Sequence, residues 1–236
     1  PISKKIKPSV EHCVVHTGQH FDNNMSQIFF EEMNLRKPDY NCAVGSGTHG
    51  EQAGRVILEA EKIIREEQPD LCLFLGDANP TLAAIAAAKS NVKIARIEGG
   101  MRSFDWRMPE EKNRVIVDHI SDYIYVYTHR YKEHLLLEGI PGHKIFVVGN
   151  PIVDIVNLYK DRALAKSDIL ERVGLSNGRY ILVTLHRQEN VDDRKVLAGV
   201  IEGLAKTAEA LNMPVYYPMS YRTEQRISEF SLKLPD

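Results

Sequence analysis

Leu71-Cys72-Leu73-Phe74-Leu75-Gly76-Asp77 is a short apolar run that stops on an acid, and Val92-Lys93-Ile94-Ala95-Arg96-Ile97-Glu98 repeats the arrangement one helical stretch later. Nearly continuous apolar runs of this length read as strands buried on both faces, as parallel strands are. The pattern extends along the chain. Strands are predicted at residues 12–16, 71–75, 93–97, 123–127, 144–148, 180–184 and 215–217. Helices are predicted at residues 24–33, 50–66, 81–89, 110–120, 131–138, 154–164, 166–173, 194–212 and 222–232. Alternation of this kind predicts right-handed βαβ units and an α/β fold with parallel, doubly wound sheets. Ligands of such sheets bind outside the carboxyl ends of the strands, which is where both acids fall.

Composition narrows the field. The 236 residues are 43% hydrophobic and 26% charged with a formal net charge of -2, an ordinary soluble globular balance. A chain of this length buries roughly 70–75% of its unfolded surface, enough for one large core or two modest ones. There is no basic field or aromatic-interleaved Lys/Arg cluster for nucleic acid, so no nucleic-acid partner is expected. No apolar run approaches the ~20 residues of a membrane span, and Pro1-Ile2-Ser3-Lys4-Lys5 lacks the core of a signal peptide. Cys13, Cys42 and Cys72 stand far apart and read as reduced, buried thiols of a cytoplasmic protein.

A boundary is expected after Val148-Gly149-Asn150-Pro151, where a strand ends and two polar helices follow. The expected layout is a first α/β lobe at 1–150 carrying the acids, a helical bridge at 151–178, and the start of a second lobe at 179–236. Because the chain opens on Pro1 and stops soon after a helical pattern, further segments are expected at both ends.

Each candidate residue has a structural explanation beside the chemical one. Asp77-Ala78-Asn79-Pro80 can start a helix, with Asp77 or Asn79 as cap and Pro80 at the first helical position, where a missing N–H costs nothing. If Asn79 caps, Asp77 is left for a ligand. Glu98 precedes Gly99-Gly100, with no helix to cap at once and glycines that permit close backbone approach to a ligand; its alternative is a local pair with Arg96 or Arg102. Pro109-Glu110-Glu111-Lys112-Asn113-Arg114 reads as a helix start with a Glu110/Arg114 pair at i,i+4. Taken with Asp77 and Glu98, Glu110 becomes a third carboxyl group at one edge. Three close acids cannot all ionise cheaply, so one is expected to keep its proton near neutral pH, and acid and base can then share one substrate.

Gly45-Ser46-Gly47-Thr48-His49-Gly50-Glu51-Gln52 contains a Thr48-x-x-Glu51 capping box and neither a GxGxxG nor a P-loop. His16-Thr17-Gly18-Gln19-His20 has no acid or Cys at ligand spacing, so no metal is expected there. The His186-Arg187 pair on a strand-end loop can hold a diphosphate or steer a proton, or can be a solvated loop. His119, His129, His134 and His143 read as structural or exposed.

Together, His16-Thr17-Gly18-Gln19-His20, Gly47-Thr48-His49-Gly50, Gly76-Asp77-Ala78-Asn79, Glu98-Gly99-Gly100-Met101-Arg102-Ser103, Met108-Pro109-Glu110-Glu111-Lys112-Asn113-Arg114, Gly149-Asn150-Pro151 and Leu185-His186-Arg187-Gln188-Glu189-Asn190 closely resemble the non-hydrolysing UDP-N-acetylglucosamine 2-epimerase family. The resemblance runs over nearly the whole chain. It implies two Rossmann-like lobes in the glycosyltransferase-B arrangement, a homodimer, a UDP-sugar substrate destined for surface polysaccharide, and no cofactor, neither metal nor nicotinamide. UDP is eliminated across C1–C2 of the sugar, leaving a 2-acetamidoglucal, and is added back with a proton on the opposite face. The resemblance assigns Asp77, Glu98, Glu110 and His186 to catalysis, and Arg102, Arg114, Arg187 and Asn79 to substrate binding. A second, activating nucleotide-sugar site matches Gln19, His20, Arg55 and Glu111.

The family's opening strand with its Gly-Thr-Arg-Pro-Glu loop and its Ser-Gly-Gly phosphate loop are expected outside this stretch, so the 236 residues alone are expected to be inactive. Gly-Asp-Ala-Asn-Pro and Glu-Gly-Gly stand where relatives commonly read Gly-Asp-Thr-Asn-Ser and Glu-Ala-Gly. Alternatives are epimerisation of UDP-diacetamido-glucuronate or a UDP-6-deoxy-talose derivative, sugar transfer on the same scaffold, or a non-catalytic nucleotide-sugar-binding fragment.

Overall fold

The computed structural model describes residues 9–18, 27–45, 47–185 and 187–234. The chain separates into two compact units, Pro1–Leu158 and Tyr159–Asp236.

In the first unit, β1 (Val15–His16) and β2 (Tyr40–Asn41) form a two-stranded parallel pair with α1 (Gln27–Glu32) between them. Helix α2 (His49–Glu67) comes next. Its start obeys the predicted capping box: Glu51 N–H donates to Thr48 Oγ1 at 3.3 Å and Thr48 N–H to Glu51 Oε2 at 2.8 Å. The chain continues through β3 (Leu71–Leu75), a 3-10 turn (Asn79–Ala83) leading into α3 (Ala84–Lys89), β4 (Lys93–Ile97), α4 (Pro109–Ile120), β5 (Tyr123–Val126), α5 (His129–Leu137) and β6 (Ile145–Val147). These four strands make one parallel sheet in the order β3-β4-β5-β6, so the expected parallel α/β architecture is present. Neighbours in sequence are neighbours in space, and each parallel step needs the helical crossover that the sequence supplies.

Burial refines the reading of the strands. In β4, Ile94, Ala95 and Arg96 are 1%, 1% and 0% exposed, as expected of a strand covered on both faces. Strand β3 departs from that expectation: Cys72 and Phe74 pack towards Ile64, Ala84, Ala87 and Ile94, whereas Leu71, Leu73 and Leu75 are 48%, 46% and 55% exposed. The run is continuous in hydrophobicity but alternating in environment, because Cys72 and Phe74 face the packed side of the sheet and the three leucines face the side left open among the described residues. A second cluster joins Ile124, Val126, Leu135, Ile140 and Ile145. Cys13 is exposed and Cys42 and Cys72 are only partly buried, which corrects the expectation of three buried thiols; burial raises the pKa of each.

Helix α6 (Pro151–Lys166) contains the point of division between the units. The second unit continues with α7 (Ile169–Arg172), β7 (Ile181–Leu182), α8 (Gln188–Val191), α9 (Arg194–Leu211), β8 (Val215–Tyr216) and α10 (Tyr221–Glu229). Strands β7 and β8 are parallel, and Val191, Leu197 and Ile201 form the core with Ile227 and Phe230 against them. Asp193 caps α9, while Asp192 ties α8 to α10 through Arg222 and, at 2.9 Å, Arg226. Among the described residues no helix is long and apolar enough to cross a membrane.

Candidate active site

Strands β3 and β4 run in register, Leu75 beside Ile97, so Asp77 and Glu98 leave the sheet at the same edge. Asp77 does not cap the turn after it. Ala78 occupies that position without a side-chain bond, and the Asp77 carboxylate forms an ion pair with Arg114 of α4. The Asp77 carbonyl accepts from Asn113 Nδ2 at 2.9 Å. Asn79, at 7% exposure, is no cap either. Its Nδ2 donates to Gln52 Oε1 at 2.9 Å, and its Oδ1 accepts from Asn113 at 3.3 Å. The starts of α2 and α4 are thereby stitched to the end of β3.

The first turn of α4 presents Pro109, Glu110 and Glu111. The predicted Glu110/Arg114 pair does not form; Arg114 reaches Asp77 and, at 3.1 Å, Glu111. A guanidinium held at 7% side-chain exposure needs carboxylates that come inward, and Glu110 is left half-buried with no hydrogen bond or ion pair among the described residues. Glu111, 3% exposed, accepts from Ser103 N–H (3.0 Å), Ser103 Oγ (3.1 Å) and Phe104 N–H (2.9 Å). Burial pushes its carboxyl pKa up, but the bonds from Ser103, Phe104 and Arg114 outweigh burial and hold it below the usual value. The loop before α4 is fastened in this way.

Glu98 pairs with neither Arg96 nor Arg102. Its partner is Tyr127, just beyond β5, whose hydroxyl donates to Glu98 Oε2 at 3.1 Å. The tyrosine pKa is raised, first by burial and then by the charge and hydrogen bond of Glu98. The two arginines serve Asp118, which is 1% exposed. Arg96 Nε lies 3.4 Å from Asp118 Oδ1, and Arg96 Nη1 donates to the Gly76 carbonyl. Arg102 donates to Asp118 Oδ2 at 2.8 Å and to both oxygens of Glu138 at 2.7 Å. With its side chain only 1% exposed, Arg102 lies inside this network.

The second nucleotide-sugar site expected from the sequence is only partly described. Arg55 is exposed on α2, its Nε 3.3 Å from the Glu51 carbonyl, and Glu111 is enclosed as above. Gln19 and His20 lie outside the described residues, as does His186. Arg187 precedes α8, half-exposed and 3.8 Å from Glu189. Tyr127, Asn113, Asp118 and Gln52 were not singled out by sequence reasoning. The available signal for Tyr127 was a polar residue at a third strand end; for Asp118 it was the 110-114-118 spacing on one helix face. Among the described residues no three His, Cys, Asp or Glu side chains gather as metal ligands.

The family model described as UDP-N-acetylglucosamine 2-epimerase matches residues 4–235. A UDP-N-acetylglucosamine 2-epimerase of Methanocaldococcus jannaschii is 43% identical over 230 residues, covering 96% of this chain and 63% of that protein. A UDP-2,3-diacetamido-2,3-dideoxy-D-glucuronate 2-epimerase of Pseudomonas aeruginosa is 41% identical, covering 99% of this chain and 66% of its own length. Among solved structures, the Methanocaldococcus jannaschii UDP-GlcNAc 2-epimerase in complex with UDP-GlcNAc and UDP superposes with a TM-score of 0.88 at 42% identity, covering 97% of this chain and 63% of that one. The chain thus spans a little under two thirds of the length of these relatives.

Proposed function

Since the chain belongs to the UDP-N-acetylglucosamine 2-epimerase family, we propose that it serves the interconversion of UDP-N-acetylglucosamine and UDP-N-acetylmannosamine by elimination and re-addition of UDP. The observation that carries the reading is the common edge of Asp77 and Glu98, one just beyond the end of each of two adjacent strands, with the helix α4 that bears Glu110 bonded to the first of them. The hydrogen on C2 of the sugar is too weakly acidic for simple removal. A carboxylate takes it while the C1–O bond to the diphosphate breaks, giving a C1=C2 double bond and free UDP. A carboxyl group on the opposite face then delivers a proton to C2 as a UDP oxygen returns to C1.

Asp77, Glu98 and Glu110 are the proposed proton carriers. Arg114 and Asn113 fix Asp77, and the fastening of residues 99–104 by Asp118 and Glu111 fixes the approach to Glu98. Arg102 and Glu111, whose polar atoms are used internally, shape that loop in our reading and do not touch the sugar. His186 and Arg187 are proposed for the diphosphate on the strength of their motif.

Turnover by the full-length protein in D2O tests the chemistry: epimer formed from protonated substrate should carry deuterium at C2, and epimer without it rejects the mechanism. Asp77→Asn, Glu98→Gln and Glu110→Gln should each lower the rate by about 10²–10⁴. A panel that includes the UDP-diacetamido-uronate tests the substrate; preferential turnover of that sugar rejects the N-acetylglucosamine assignment and leaves the chemistry standing.

A further inference from the structure

Glu98 adopts a φ of 73°, in the left-handed region that side chains other than glycine occupy rarely and at a cost. The two glycines after it hold its main chain there. A Cβ on Gly99 would stand 2.2 Å from Ile124 Cγ2, and one on Gly100 2.3 Å from the Tyr131 carbonyl oxygen. Gly99 N–H donates to the Tyr125 carbonyl at 3.2 Å, and Gly100 N–H to Asp118 Oδ2 at 3.0 Å. The backbone of residues 98–100 is therefore seated against β5 and α5 before any side-chain contact is counted.

We propose that Tyr127 is a positioning residue for Glu98. Two residues after the Tyr125 carbonyl that holds Gly99, its hydroxyl holds Glu98 Oε2 at 3.1 Å, so a single strand end fixes both main chain and carboxylate. What Glu98 does with that fixed geometry rests on the epimerase reading. A glutamate has three rotatable side-chain bonds, and a proton carrier must stay within about half an ångström of its productive place. Asp77 gets this from the cation of Arg114. Tyr127 gives it to Glu98 through a neutral donor, with no cation competing for the electron pair that takes the proton. Burial and the neighbouring carboxylate keep the phenol protonated, so the donor persists through the working range. Arg96, the cation that acts on the Tyr127 phenol, donates from Nη1 to the Gly76 carbonyl and from Nε to Asp118, and forms no ion pair with Glu98 among the described residues.

The test is a double-mutant cycle of Tyr127→Phe and Glu98→Gln on the full chain, read both in turnover and in urea unfolding. Tyr127→Phe should lower kcat by about 10- to 100-fold with KM changed less than about twofold, and should cost nothing further in the Glu98→Gln background. Equal losses in both backgrounds, an effect on KM alone, or unchanged kcat would each overturn the assignment. If the full-length wild-type protein epimerises no UDP-sugar, it is the epimerase reading that fails. The pairing is then decided by the unfolding cycle: non-additive losses uphold the Tyr127–Glu98 bond, and additive losses remove it.

Discussion

A glutamate at φ 73° beside two glycines sets backbone comfort against chemistry at a single position. Replacing Glu98 by glycine removes the left-handed penalty, of order 1 kcal/mol, and removes the carboxyl group as well. We expect Glu98→Gly to unfold at the same urea concentration as the parent, or a higher one, while losing turnover. A fall of more than about 2 kcal/mol would show that the residue is there for stability. Gly100→Ala should behave in the opposite way. The added methyl meets a backbone oxygen of α5 at 2.3 Å, and the φ of 72° at Gly100 suits no side chain, so a loss of about 3 kcal/mol is expected in the same measurement. The glycine pair was legible as a place of close approach, but the atoms approached belong to β5 and α5 of the protein itself. Nothing local in Glu98-Gly99-Gly100 could have said so, because Ile124 and Tyr131 come from elements that lie later in the chain and fold back against it.

Helix α4 carries a second kind of consequence, one of pH. Glu111 is held below the usual carboxylate value in the folded chain, so the unfolded chain binds that proton more readily. Its contribution to stability is then fully present above its ordinary value of 4.5 and is lost as pH falls through the folded value. Glu111→Gln should cost about 2 kcal/mol at neutral pH, and parent and variant should converge as the pH falls below 4.5 and through the folded value. A gap that stays constant across that range would contradict the role given to the carboxylate. The start of this helix was legible because its cues, Pro109 and the first-turn acids, are local. The capping box of α2 was legible for the same reason. The partner of Arg114 was not. The i,i+4 spacing favoured Glu110, whereas the fold delivered Asp77 from 37 residues away and Glu111 at i,i+3. Strand β2 escaped notice because two residues, Tyr40 and Asn41, are too few to show a period. The short helix α8 was likewise read as loop.

The four-stranded sheet shows what hydrophobicity alone leaves undecided about the whole molecule. Leu71, Leu73 and Leu75 looked like the interior of a doubly covered strand, yet they share a face with Tyr123 and Phe146, which are each 41% exposed. Continuous apolar character says that a strand can be covered on both sides and does not say that it is. Leu73→Thr with Leu75→Thr keeps residues suited to a strand and should change unfolding free energy by less than about 1 kcal/mol. The same pair should markedly reduce the fluorescence of a hydrophobic dye added to the folded chain; undiminished fluorescence would move the dye site elsewhere. That leucine ladder also governs how the material handles at the bench. Salting-out agents strengthen the sticking of oily surfaces, so the parent should precipitate at lower ammonium sulfate, and cling longer to a phenyl column, than its threonine counterpart.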